Sequence, residues 1–350
     1  MFEVSIIMPV YNVKEHLVRA IKSALNQQDI LTEVILVNDG STDGSAEICD
    51  DYAKQEPLLV KVIHQENKGS GHARNAGLDQ AVGKYIYFAD PDDYFDKHLL
   101  KDNCRLAKEI KPEMVVFGYT QEKAEIPSDR EVKLPNFPQL TTQEEFRKHF
   151  NNVYHFSPYA LWNKLYKRRF LKKHNIRFTK QKTGQDALFN IEVYKHLSSV
   201  SVNRKAFYHY VSHTGSSVNR YRPDRYLMEN TIAQAFEQLI KEWKQEQTFN
   251  KLIAQEYFNS VYLETNNLVH SDCPLTKQEK TKRLSDIWEH VGMDKIIPFK
   301  KNDPNPFRRI LLRNFQKRNF DNVLLLMKSR NQMADKYSKI FGKINRFFKN

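Results

Sequence analysis

No run of apolar residues in this chain approaches the roughly 18 to 20 that a helix needs to cross a bilayer, so nothing in it reads as a membrane span. A basic n-region is also missing. Met1-Phe2-Glu3-Val4-Ser5-Ile6-Ile7-Met8-Pro9 runs straight into a strand pattern and does not read as a signal peptide. Cysteine is scarce: Cys49, Cys104 and Cys273 are too few and too widely spaced for a disulfide framework or a zinc site. A reducing cytoplasm is the expected compartment. No internal repeat and no low-complexity segment is visible, which sets repeat architectures aside. Acidic charge is nearly absent from the end of the chain. Between Lys300 and Asn350, fourteen Lys/Arg face three Asp, fourteen minus three giving +11 of the total formal charge of +13. The remainder is close to neutral, so the basicity belongs to the tail and not to a site.

What is present is a long alternation of strand and helix patterns. With 350 residues and 40% hydrophobic content, the chain can build a full α/β core plus an appended region. Strands are expected at 4–10, 33–37, 59–64, 85–89 and 114–119, with helices at 15–26, 45–55 and 72–81 between them. Such spacing predicts a mostly parallel, doubly wound sheet with flanking helices. Right-handed crossovers then place the strand ends on one edge. That edge would collect Tyr11, Asp39, the Gly-rich loop at Gly69 and the acidic run Asp90-Pro91-Asp92-Asp93. The polar stretch from Glu122 to Gln139, with three prolines, reads as an excursion or linker. After about Tyr226 the pattern is helical.

The acidic run carries the most chemistry. It follows the apolar strand Tyr85-Ile86-Tyr87-Phe88-Ala89, so its carboxylates emerge at a strand's carboxyl end, where open α/β sheets bind ligands. Three carboxylates within four residues repel one another unless a cation or a set of donors lies nearby. Oxygen-rich sites of this kind suit Mg²⁺ or Mn²⁺ shared with substrate phosphates. The plainer reading is an acidic turn that starts a helix.

Taken in order, seven motifs resemble the bacterial inverting glycosyltransferases of family 2, with the GT-A fold. They are Pro9-Val10-Tyr11-Asn12, Asn38-Asp39-Gly40-Ser41-Thr42-Asp43, Asn67-Lys68-Gly69, Ala73-Arg74-Asn75-Ala76-Gly77, Asp90-Pro91-Asp92-Asp93, Trp162-Asn163-Lys164-Leu165-Tyr166 and Gly184-Gln185-Asp186. Each is weak alone; the order and spacing are what is specific, and they cover roughly residues 3 to 220. The resemblance implies a GT-A catalytic domain over 1–225, with a nucleotide-sugar half at 1–120 and an acceptor half at 140–225. A helical, basic C-terminal region at 226–350 follows.

It also implies roles. Asp92 matches the metal ligand, and Asp90 the acid facing the ribose and the metal. Asp93 either binds through water or caps the helix beginning near Asp96. Asp39 matches the acid that accepts from the nucleotide base, with Pro9 and Tyr11 lining that pocket; the alternative is an Asp that caps the next turn. Lys68, Gly69 and Arg74 supply donors and charge near ribose and phosphates, and Arg74 could equally pair with Asp90. Asp186 matches the catalytic base, against the reading of a helix N-cap. The family's usual Glu before it is here Gln185, which puts the acceptor contacts in question. Trp162, Asn163, Lys164 and Gln185 fall on the acceptor side, although a core role for Trp162 competes. His213, and secondarily His209, is a further metal-ligand candidate.

The activity implied is metal-dependent, inverting transfer from a UDP-sugar to a hydroxyl on a cell-surface glycan or lipid-linked acceptor, with Mn²⁺ or Mg²⁺ as cofactor. The rival is a non-catalytic sugar-nucleotide-binding subunit. A nucleotidyltransferase is disfavoured, because Val10-Tyr11-Asn12 supplies no Gly-rich basic loop after the first strand. In the tail, Pro306 to Arg318 and Tyr337 to Lys349 set apolar faces between lysines and arginines. That pattern suits an anionic membrane surface at the inner face of the cell membrane, or else docking on protein. No nucleic-acid recognition motif accompanies the charge, and a homo-oligomer is compatible with the sequence.

Overall fold

A computed structural model describes residues 1–123, 126–133, 139–181, 184–212, 220–292, 295–296 and 305–347. The chain divides into two compact units, Met1–His213 and Thr214–Asn350.

The first unit alternates strands and helices as the sequence predicts: β1 (Val4–Val10), α1 (Lys14–Leu25), β2 (Thr32–Asp39), α2 (Ser45–Gln55), β3 (Val60–Gln65), α3 (Ser70–Gln80) and β4 (Tyr85–Phe88). Then follow β5 (Tyr94–Phe95), α4 (Leu99–Ile110), β6 (Met114–Lys123), β7 (Ile126–Val132), α5 (Gln143–Phe156), β8 (Lys164–Lys167), α6 (Arg168–Lys173), α7 (Gln185–His196) and β9 (Val200–Ser212). Among the described residues these strands form one sheet in the order β3-β2-β1-β4-β8-β6-β9-β5, with β7 on β6. Strands β3, β2, β1 and β4 are parallel, whereas β8 runs antiparallel to both β4 and β6. This is a mostly parallel GT-A-type sheet, and it runs unbroken through both halves expected from the sequence.

Every residue of β1 and of β2 is buried. That is why both read as continuous apolar runs: helices cover both faces of a parallel sheet. Gly77 lets α3 lie close on β1, since a Cβ there would overlap the Ile7 side chain. Chain order reverses at β1, whose neighbours are β2 and β4. The carboxyl ends of β1, β2 and β4 therefore border a topological switch point, the crevice where such sheets bind ligands.

The polar stretch from Glu122 to Gln139 is not simply a linker. It completes β6 and contributes β7, which pairs antiparallel with β6. Pro127 fits there because β7 has β6 as its partner on one side, and an edge strand can spare an amide.

The second unit is helical: α8 (Arg225–Glu242), α9 (Glu246–Leu268), α10 (Lys277–Val291), α11 (Pro306–Gln316) and α12 (Phe320–Phe347). The apolar face of the first basic stretch goes into this unit's core. Leu311, Leu312 and Phe315 are buried with Trp288, Val323 and Met327, and Phe315 stacks on Trp288 at 5.0 Å. A membrane role for Pro306 to Arg318 is thereby corrected to internal docking, because the same face cannot also meet lipid. The side chains of the second stretch, Tyr337 to Lys349, lie outside the described residues.

Candidate active site

Two loops at the ends of β1 and β2 fix each other. Thr42 N donates to Asn12 Oδ1 at 2.8 Å, and Asn12 N donates to Ser41 Oγ at 3.2 Å. Lys14 N and Ser45 N both donate to Asp43, at 3.0 Å each, while Val13 N donates to Ser45 Oγ. Most of the polar residues in Asn38–Ser45 are therefore used in holding backbone. Tyr11 remains half exposed above them, and Pro9 is buried inside β1.

Asp39, buried at the end of β2, holds the third loop. Its Oδ1 accepts from Gln65 Nε2 at 2.6 Å and Lys68 N at 2.9 Å, and its Oδ2 accepts from Gly69 N at 2.8 Å. It does not cap the turn after its own strand. A carboxylate offers about four lone-pair sites, so these three bonds leave room for one more donor. Gly69 sits at φ +91°, ψ 157°, a region essentially reserved for glycine. The Lys68 side chain is exposed.

Arg74, on α3, is buried and spans two carboxylates. Nη1 donates to Asp186 Oδ1 at 2.9 Å, and Nη2 donates to Asp90 Oδ1 at 3.0 Å. Its Nε is buried without a partner among the described residues, and the guanidinium lies 5.6 Å from the Phe178 ring centroid. Burial opposes its charge, but Asp186 and Asp90 outweigh that and raise its pKa. Phe178 is itself held in register by Asn75, whose side-chain amide exchanges two hydrogen bonds with its backbone, at 2.9 and 3.0 Å. Asn75 and Phe178 are positioning residues that the sequence reading did not single out; Asn75, beside Arg74 in the fourth motif, was the available signal.

The three acids of the Asp90–Asp93 turn differ. Burial pushes Asp90 up to about 6, with Arg74 opposing and Asp92 and Asp186 adding to the shift. Asp93 is almost fully buried. Tyr208 OH donates to its Oδ2 at 2.5 Å and Val211 N to its Oδ1 at 2.8 Å. Burial, then Asp90 and Asp92, raise it to about 8. The capping reading of Asp93 does not hold: α4 has no side-chain cap, and Asp93 ties the turn to β9. Asp92 is partly exposed, and its carbonyl accepts from Arg19 Nη2 at 2.8 Å. Arg19 also stacks over Tyr94, 4.7 Å from the ring centroid. Among the described residues no three His, Cys, Asp or Glu side chains are arranged to hold a metal ion. Asp90 and Asp92 are the carboxylates of this turn that remain partly exposed, and carboxylate oxygens of that kind could hold a hard cation.

Asp186 is the second residue of α7 and is not its N-cap. Gly184 takes that position, and no side chain caps the helix. The Asp186 carboxylate is 43% exposed, on the Arg74 side of the site. Gln185, beside it, packs against the start of α3. It is buried, its amide donates to Ser70 Oγ, and any Cβ at Gly71 would collide with its Oε1.

On the expected acceptor side the structure therefore corrects three assignments. Gln185 is packed away, and Asn163 and Lys164 are fully buried. Lys164 Nζ donates to Ser157 O at 2.8 Å, Ala160 O at 2.6 Å and Asn163 Oδ1 at 3.1 Å. Burial alone pushes this ammonium down to about 7; its three donors meeting three oxygens work against that. Trp162 remains partly buried in an aromatic stack with Tyr208 at 4.7 Å and Tyr210 at 5.5 Å, and Tyr119 meets it edge-on at 4.8 Å. The pair Tyr208 and Tyr210, two apart in a strand and so on one face, was the available signal. His209 is engaged with Glu122 through Nδ1 at 2.6 Å and stacks on Tyr94 at 4.4 Å, so its pairing is with carboxylate and ring. His213 lies outside the described residues.

Three comparisons bear on this geometry. The model of the family described as "Glycosyl transferase family 2" matches residues 5–174. The putative glycosyltransferase EpsH of Bacillus subtilis (strain 168) is 31% identical over 298 residues, covering 83% of this chain and 82% of that protein. The crystal structure of Staphylococcus aureus TarS 1–349 in complex with UDP-GlcNAc superposes with a TM-score of 0.66 at 22% identity, covering 94% of this chain and 92% of that one. The mannosyltransferase PcManGT from Pyrobaculum calidifontis, in complex with GDP-Man and Mn²⁺, does so at 0.53 and 14%, over 95% and 87% of the two chains. At those identities the two structural likenesses establish the fold.

Proposed function

Because this chain belongs to glycosyl transferase family 2 and is a glycosyltransferase, we propose that it transfers a sugar with inversion from a UDP-sugar to a hydroxyl of a cell-surface glycan or a lipid-linked acceptor. One observation carries this reading. Arg74 brings Asp90, at the donor edge of the sheet, and Asp186, from α7, onto one guanidinium at 3.0 and 2.9 Å. Arg74 and Asp186 are 112 residues apart in sequence, so the meeting is a product of the fold.

Chemically, the acceptor oxygen attacks the anomeric carbon as the bond from that carbon to the diphosphate oxygen breaks. Asp186 takes the acceptor's proton as general base, and its exposed flank gives a hydroxyl access. The bond from Arg74 fixes the carboxylate's orientation while leaving its other oxygen to accept. Asp39 is the proposed base contact, with Pro9 and Tyr11 lining that pocket; the Lys68–Gly69 loop and Arg74 are the proposed donors near ribose and phosphates, and Asp90 the proposed ribose contact. Asp92 and Asp90 would hold Mn²⁺ or Mg²⁺, which when bound neutralises the charge growing on the diphosphate. The TarS and PcManGT complexes support a nucleotide-sugar donor, and the latter supports manganese, each by its own bound ligand. The basic positions of the last helix, Lys336, Lys339, Lys343 and Arg346, are the proposed contact with an anionic membrane surface.

The test is turnover of a UDP-sugar panel with Mn²⁺. Asp186→Ala is expected to lower the rate by about 10²- to 10⁴-fold, the usual worth of a positioned general base, and Asp92→Ala to abolish the response to metal. Turnover at the parent rate in both variants refutes the assignment.

A further inference from the structure

The second unit contains a cleft lined by none of the residues assigned to the transfer reaction. It has a volume of about 930 Å³ and is bordered by the end of α9 and the turn after it, by the first turn of α10, and by the start of α12. Its lining combines two chemistries. Leu268 and Leu324 belong to this unit's buried core and form the cleft's floor, while Val269 is partly buried and Leu325 is 61% exposed. Lys277, Lys280 and Lys328 are cationic, against the single acid Asp321. Asp321 is already engaged, with Lys277 Nζ and Thr281 Oγ1 each 3.2 Å away. Three lysines against one acid leave the cleft two positive charges in excess.

We propose that this cleft binds one anionic glycerophospholipid, its phosphate between Lys280 and Lys328 and the start of its acyl chains on Val269 and Leu325. The volume lies at the upper end of the range for small-molecule sites, about 300 to 1,000 Å³. A free phosphate would fill a small part of it and leave Leu325 in water. A zwitterionic head would bring its own cation against the three lysines. An amphiphile with a net negative head satisfies both halves of the lining. The site deepens the membrane-surface reading by giving it a stoichiometric pocket. It rests on that reading and is independent of the transfer chemistry.

The experiment is calorimetric titration of the full chain with dihexanoyl phosphatidylglycerol below its micelle concentration. Dihexanoyl phosphatidylcholine and inorganic phosphate are the comparison arms. Saturable one-to-one binding of phosphatidylglycerol is expected, at least tenfold tighter than either comparison ligand. The double variant Lys280→Glu, Lys328→Glu should lose at least tenfold in affinity, and Leu325→Asn should weaken the lipid but not phosphate. UDP-induced thermal stabilisation should be the same in all variants, which separates this test from that of the active site. Equal affinity for phosphate and lipid would reduce the cleft to a plain anion site and overturn the proposal. Undiminished lipid binding by the double variant would overturn it as well.

Discussion

Replacing Arg74 by Met tests the centre of the argument. The change keeps most of the side-chain volume and removes the guanidinium that Asp90 and Asp186 share at 3.0 and 2.9 Å. Removing one partner of a fully buried ion pair costs about 3–5 kcal/mol. Here the carboxylates are 28% and 43% exposed, so water can take over part of their solvation. The expected loss is then about 2–3 kcal/mol, which for a unit of this size lowers Tm by roughly 4–12 °C. The kinetic effect has a sign of its own. Arg74 holds the Asp90 pKa down against the burial that raises it to about 6. Without the guanidinium that value rises further, and less of Asp90 is ionised near neutral pH. The acid limb of the pH–rate profile therefore moves to higher pH, with little change on the alkaline side. Arg74→Lys keeps a charge but cannot fork to two carboxylates, and it should fall between parent and Met variant in both measurements. Differential scanning calorimetry and a pH series of UDP-sugar turnover read these out. A Met variant with parental Tm and a parental acid limb would show that the bridge contributes nothing to either.

Two further outcomes follow from buried polar groups. Lys164→Met leaves Ser157 O, Ala160 O and Asn163 Oδ1 without their donor; a loss of about 3–5 kcal/mol in denaturant unfolding is expected, on the scale of buried unpaired acceptors, and a change below about 1 kcal/mol would contradict the packing. Asp93, raised to about 8 from an unfolded value near 3.8, binds a proton in the folded chain that the unfolded chain releases. Its contribution is thus full below about pH 4 and falls by up to about 1.4 kcal/mol per pH unit until about pH 8. Asp93→Asn should flatten that part of the metal-free stability curve, and an unchanged slope would refute the assignment.

The order of elements was legible because the apolar pattern repeats at strand and helix periods, and β1 to β4 lie where those periods put them. The position of Asp39 and of Asp90–Asp93 at strand ends followed from the same pattern. Other features were hidden for physical reasons. β7 carries a polar sequence because an edge strand needs little burial, so periodicity treated it as linker. Asn163, Lys164 and Gln185 are polar types whose place in the interior depends on partners distant in the chain or created by local folding: Ser70 for Gln185, the carbonyls of 157 and 160 for Lys164. The choice between Arg74 as phosphate donor and as partner of Asp90 had no local signal; in the fold it pairs with Asp90 and with Asp186 as well.

The amino-acid order by itself determined which segments become strands and which polar groups stand at their carboxyl ends, since both depend on residues near one another along the chain. Only the tertiary structure decided which polar groups at the strand ends and at the start of α7 remain partly exposed and which are consumed in packing. Asp92 and Asp186 remain partly exposed, whereas Asp93 is tied to Tyr208 and Gln185 to Ser70. That division is set by distances and burial among residues remote in sequence, and neither exists until the sheet and helices have met.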